Sequence, residues 1–267
     1  MEQTIGVNRE QAEPVEAGTG LWSLEPYLEQ LKDLALPKGT FDAEGPWEHA
    51  YDVYPVYGKW SESSEKHRGF CKIQRSGKTD GGSFQLDVRS EVTYLNYGSG
   101  IHPTRSQVTT ASIRCANNIL ASPVSWELES VALDESKKPR PLSEMSESAV
   151  MVDGNINLMS KKGNLREIKV NGGFTCNWSL FDAIQRMYRK ETPQAAFTVL
   201  EDLRLVRANQ RLRFDGLTQV QLGGSTVGLY GFHQIGEGIL PIHYWLDEEG
   251  RLLFVIGGVR VYFWHNE

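Results

Sequence analysis

The sequence predicts a mainly β protein: a large curved antiparallel sheet, half-barrel or open barrel, carrying two or three helices. Three observations lead there. From Gly228 to Trp264 the chain reads as three strands joined by two glycine-bearing turns. From Phe84 to Asn96 apolar and polar residues alternate, as in a long strand with one wet face. Late in the chain, around Leu180, the apolar spacing changes to the helical period.

In chain order, residues 1–20 read as a disordered tail and residues 21–267 as a single β domain. Leu21, Leu24, Leu28, Leu31, Leu34 and Ala35 recur at helical spacing and Pro37 with Gly39 closes the segment, which predicts one amphipathic helix. An aromatic stretch follows, Trp47, Tyr51, Tyr54, Tyr57 and Trp60, broken by prolines. It reads either as a cap on the open end of a β core or as a sugar-stacking surface.

The first long strand places Phe84, Leu86, Val88, Val92 and Tyr94 on one face. A second is expected from Arg105 to Cys115. A third runs through Val124, Trp126 and Leu128, where the apolar phase shifts to Val131 and Leu133 and implies a bulge. Beyond the loop KKPRP, strands are expected near Ala149 to Met159 and Leu165 to Val170, joined as meanders. Ser179 then reads as an N-cap with Asp182 three positions on, giving a helix from about Leu180 to Lys190. A short helical or irregular piece near Ala195 to Leu203 precedes strands near Gln210 to Leu222 and Thr226 to Ile235.

The closing turns set a register. With Gly236, Glu237 and Gly238 as the first loop, His233 faces Pro241 and His243 lies diagonally from His233 on the same side of the sheet. In the second, Asp247 and Arg251 flank Glu248, Glu249 and a left-handed Gly250, and His243 faces Val255.

Composition excludes several classes. With 40% hydrophobic residues over 267 positions the chain can bury a substantial core. A net charge of −6 argues against nucleic acid or an anionic membrane surface as partner, because either needs a basic footprint. No apolar run is long enough for a transmembrane segment. The first 20 residues lack the charged start and apolar middle of a secretory signal, and the compartment stays open. Cys71, Cys115 and Cys176 are an odd number without a CxxC spacing and read as buried thiols. The glycine pairs read as turns rather than as a phosphate cradle, no GxSxG elbow is present, and no cofactor is implied.

The run SLFDAIQRM, then VLEDLRLVRANQRLRF, then GGSTVGLYGFHQIGEGILPIHYWLDEEGRLLFVIGGVRVY, resembles poorly characterised bacterial exported proteins that form antiparallel half-barrels, related in shape to lipoprotein carriers. The resemblance covers roughly Asn177 to Tyr262 and rests on hairpin turns and a late helix. It implies a fold that holds apolar ligands or partners, and it brings no catalytic set with it.

The leading functional expectation is a noncatalytic binding or carrier protein that encloses an apolar or amphipathic small molecule against Phe84, Leu86, Val88, Val124 and Trp126. A rival is a carbohydrate-active lyase or hydrolase using His233 and His243, with Glu237 as a third group. Two diagonal histidines without a placed third ligand read as structural rather than as a metal site. The third expectation is a structural subunit of a larger complex, with the aromatic and acidic N-terminal region docking a protein partner.

Overall fold

A computed structural model describes residues 23–27, 31, 34–55, 69–79, 81–94, 105–170, 172–188, 192–257 and 260–265. The expected tail at residues 1–20 lies outside them, as do Tyr57 and Trp60 of the aromatic stretch. Among the described residues fifteen strands and one α-helical element follow in order: β1 (Trp47–Pro55), β2 (Gly69–Arg75), β3 (Phe84–Tyr94), β4 (Arg105–Cys115), β5 (Pro123–Leu133), β6 (Met145–Val152), β7 (Asn155–Ser160), β8 (Leu165–Lys169) and β9 (Gly173–Cys176). Then come α1 (Asn177–Met187), β10 (Phe197–Glu201), β11 (Leu205–Leu222), β12 (Ser225–Ile235), β13 (Ile242–Leu246), β14 (Leu252–Gly257) and β15 (Arg260–Trp264).

All fifteen strands form one open, curved sheet in the order β8-β7-β6-β5-β4-β3-β2-β1-β15-β14-β13-β12-β11-β10-β9. Each arm is a meander, because hairpin partners adjacent in sequence pair most cheaply in loop entropy. The arms meet where β1 pairs with β15, Tyr51 opposite Trp264 and Val53 opposite Tyr262. The aromatic stretch is therefore, over its described part, a central strand and not a cap. Its alternation puts Tyr51 and Val53 inside, at 0% and 1% exposure.

Antiparallel pairing holds throughout except between β9 and β10, which run parallel with α1 as their crossover. The helix lies inside the curve with Trp178 to Met187 all buried. Its N-cap is Cys176, whose Sγ accepts from Ser179 N at 3.3 Å; Ser179 itself sits in the first turn, its hydroxyl between Cys176 Sγ at 3.1 Å and Cys115 Sγ at 3.5 Å. Burial favours the neutral thiol, pushing Cys71 up to about 12 and Cys176 up to about 11, with Cys115 raised further. No helix among the described residues is long and apolar enough to cross a membrane.

Four expectations change. Among the described residues there is one α-helical element and not two or three; of the expected N-terminal helix, Glu25–Tyr27 form a 3-10 turn and Leu31 is helical, while Leu21 and Leu28 lie outside the described residues. Leu24, Tyr27 and Leu31 nevertheless bury themselves, against Trp245, Phe254 and Phe263 on the outer face of the C-terminal arm, and Trp245 Nε1 donates to Ser23 Oγ at 3.1 Å. The piece near Ala195 to Leu203 is strand β10 and its turn, because pairing with β9 and β11 satisfies its backbone where an isolated short helix is marginal. The expected strand from Ala149 to Met159 is two, β6 and β7, folded at Asp153 and Gly154 with φ of 49° and 78°. Asp-Gly is the preferred pair for such a mirror-image turn.

The bulge is also displaced. β4 and β5 stay in register from Ser106 opposite Leu133 to Arg114 opposite Ser125, then jump to Cys115 opposite Pro123, which leaves Val124 as the extra residue. Val131 and Leu133 simply face outward, and Ser130 keeps the inner position.

Candidate functional site

The inner face of β3 to β5 changes character along its length. At one end Phe84, Leu86, Val88 and Trp126 are 1%, 0%, 3% and 2% exposed. They form core under α1, while Val124 at its bulge is half-buried. A buried ion cluster seals this end. Asp182 on α1 lies 2.8 Å from Arg75 Nε of β2 and accepts from Arg186 Nε at 2.6 Å, and both guanidiniums stack on Phe84, at 4.2 and 5.5 Å. Burial pushes the Asp182 carboxyl up and the two guanidiniums oppose it. The set expected to line a ligand groove is therefore packed side chain on side chain.

Beyond Val88 the same face turns polar. Ser90, Thr109 and Ser130 are neighbours across β3, β4 and β5, with Thr109 Oγ1 3.1 Å from Ser130 Oγ and Gln107 Nε2 donating to Ser130 Oγ at 2.8 Å. A chamber of about 320 Å³ opens over this hydroxyl floor. Its roof is the β10–β11 turn, where Asp202 and Leu203 both adopt the left-handed region, φ 48° and 58°. A left-handed leucine costs roughly 1–2 kcal/mol, which full burial of its side chain at 0% exposure offsets.

Ion pairs fix that roof. Arg204 Nε lies 2.9 Å from the Glu147 carboxylate of β6, and Arg207 Nε donates to Glu201 at 2.8 Å. Asp202 and Asn177 bond in both directions, Nδ2 to Oδ1 at 3.1 Å and backbone N to Oδ1 at 3.0 Å. A second chamber of about 150 Å³ adjoins the first and shares Glu201, Asp202, Arg207 and Arg260 with it. Its remaining wall is mostly apolar, including Phe181, Ile242 and Val255. Tyr244 and Tyr262 also face it, and burial raises both phenols well above their ordinary value. Together these chambers can take a molecule with a polar end and a compact apolar end.

The histidines lie on the opposite face. The first loop spans Gly236 to Pro241, so His233 faces His243 directly, with ring centroids 5.9 Å apart. The loop is longer than expected because Pro241 has no N–H for a ladder and Gln210 holds the loop, donating from Nε2 to the Glu237 carbonyl at 3.0 Å. In the next hairpin Gly250 is left-handed as expected, φ 85°, but Leu253 is an extra residue and His243 faces Ile256, not Val255.

Glu237 is not part of this cluster; its carboxylate accepts from Asn209 Nδ2 at 2.7 Å. The acid that joins the pair is Asp215, placed by a bulge between Phe214 and Gly216 so that its Oδ1 meets His233 Nδ1. Desolvation, with His233 adding to it, lowers His243 to about 4. Among the described residues no group of three or more His, Cys, Asp or Glu side chains could hold a metal ion.

No family model matches the chain, and no curated protein matches it. Among solved structures it is similar to a β-barrel-like protein of domain of unknown function DUF1849 from Brucella abortus, with a TM-score of 0.53 and 11% identity over 83% of this chain and 96% of that one. At that identity the likeness is one of fold: an open β-barrel-like sheet shared with a bacterial protein of unknown function.

Proposed function

We propose that the protein is a noncatalytic binding protein for a small amphipathic molecule, seated inside the curve of the sheet. The observation that carries this reading is the pair of adjoining chambers, one floored by hydroxyls and roofed by arginines, the other mostly apolar. The chamber sizes narrow the ligand. A dry cavity of about 150 Å³ is known to accept benzene, so the apolar end is on the order of six carbons and not a long acyl chain. The groove expected along Phe84, Leu86 and Trp126 has no part in this reading, since those side chains fill their own space.

Native mass spectrometry of the purified protein, followed by denaturing analysis of what is released, tests the proposal. A small amphipathic mass is the expected result. An empty protein that also takes up no six-carbon amphiphile would end the reading, and so would an Ile242→Phe variant, with its apolar chamber filled, that binds as well as the parent. The contact of Asp215 with His233 favours a second reading, acid–base chemistry on a carbohydrate at the outer face, with Asp215 in the place expected for Glu237. That reading requires His233→Gln to abolish turnover while the fold persists.

A further inference from the structure

The arginines of the polar chamber keep unused hydrogen-bonding capacity. A guanidinium carries five N–H donors in a planar fork. Arg204 and Arg207 reach Glu147 and Glu201 through Nε. Among the described residues, neither side chain spends an Nη nitrogen on a protein acceptor, and both line the chamber. Arg260 adds a third guanidinium to the wall, against the carboxylates of Glu201 and Asp202. Asp202 accepts from Asn177 Nδ2 through Oδ1, and its backbone N–H donates back to Asn177 Oδ1. Across the floor, Thr109 and Ser130 share one hydrogen bond, so that pair keeps one hydroxyl proton for a ligand.

A neutral ligand would cover the Nη donors and leave them unsatisfied, at a cost of the order of the hydrogen bonds lost. A cationic ligand would present donors to the Nη donors of Arg204 and Arg207, which have no lone pair to accept them. An anion with two oxygens in one plane matches the fork and can bond it at two points. We infer that the polar chamber recognises an oxyanion, a carboxylate or a phosphate, gripped by the Nη groups of Arg204 and Arg207 over the hydroxyl floor, with the apolar remainder of the ligand in the adjoining chamber. The inference rests on the binding reading above and names the chemistry of the ligand's polar end.

Titration calorimetry with a set of matched six-carbon compounds tests it: hexanoate, hexyl phosphate, hexan-1-ol and hexylamine, with acetate and inorganic phosphate as free anions. Hexanoate or hexyl phosphate is expected to bind at least about tenfold more tightly than hexanol, since charge-assisted bonds are worth enough for one decade or more. Arg207→Gln should remove about that advantage, bringing hexanoate to within about twofold of hexanol on the same variant. Arg207→Lys keeps the charge without the fork, and should fall between the two. Should either variant unfold, the same pair of substitutions at Arg204 gives a second comparison.

Hexanol or hexylamine binding as tightly as hexanoate would overturn the oxyanion assignment while the binding reading stood. No binding by any six-carbon compound would overturn both. Inorganic phosphate binding as tightly as hexyl phosphate would support the oxyanion grip and identify the source as a free anion.

Discussion

Asp182→Asn is expected to destabilise the protein by about 3 kcal/mol, the lower end of what removing one partner from a buried ion pair costs. Both Asp182 and Arg75 side chains are 0% exposed and Arg186 is 6% exposed, so water cannot replace the lost charge. Arg75 cannot swing away either. Its Nη1 is tied to the carbonyls of Glu44 and Gly45, the latter at 2.7 Å, and its guanidinium lies 4.2 Å from the centre of the Phe84 ring. Asparagine keeps one acceptor oxygen, which is why the lower end applies. Urea denaturation followed by tryptophan fluorescence would show the loss as a lower midpoint at unchanged slope, and thermal unfolding as a fall of about 6–12 °C. The triple variant Arg75→Met, Asp182→Leu, Arg186→Met should recover most of it, because an apolar set of similar volume carries no uncompensated charge. A loss under about 1 kcal/mol for Asp182→Asn, or a triple variant no better than the single, would refute the reasoning.

Acid should weaken the fold through two histidines. Burial lowers His243 to about 4 and His49 to about 3, below the ordinary 6.5, so the unfolded chain takes up these protons first and stability falls as pH drops from about 6.5 towards those values. Each contributes up to about 1.4 kcal/mol per pH unit, and His243→Asn should flatten the slope of a urea-midpoint series between pH 6.5 and 4. Gly250→Ala should cost more than about 1 kcal/mol in the same assay, because φ is 85° there and an added Cβ would meet the Tyr188 ring at 2.6 Å. Native-state alkylation of Cys71, Cys115 and Cys176 at pH 8 should be slow and should speed up sharply in urea, as read by intact mass; rapid labelling of the folded protein would contradict their burial.

Fold class was legible because it depends on period-two patterning and turn residues, which are local. β3 and β4 run over Phe84–Tyr94 and Arg105–Cys115, close to where the alternation puts them. What escaped were features decided by tertiary partners. β10 is too short to show a period of its own, and becomes a strand because β9 offers it a parallel neighbour. The histidine register slipped because a proline and a glutamine from another strand lengthened the loop. Asp215 was missed since only a bulge turns it towards His233. The polar chamber did leave a trace. Ser90 stands at an inward position between Val88 and Val92, and Ser130 likewise follows Leu128 on the inner face; polar residues at core parity mark where a strand's buried face meets something other than core. That trace was readable, but only its alignment with Thr109 across the sheet gives it meaning.

The seam between β1 and β15 sets a problem for synthesis. The arm from β1 to β8 is complete by Lys169, whereas the strand that covers β1 begins only at Arg260. At ribosomal speeds the nascent arm waits roughly 5–20 s with Trp47, Tyr51 and Val53 on a strand whose second edge is bare. An uncapped edge rich in large apolar side chains is a template for pairing with another chain. Yield in the cell should therefore depend on holding that half-built edge apart from its copies, and slower translation through the second arm should raise the share lost to aggregation.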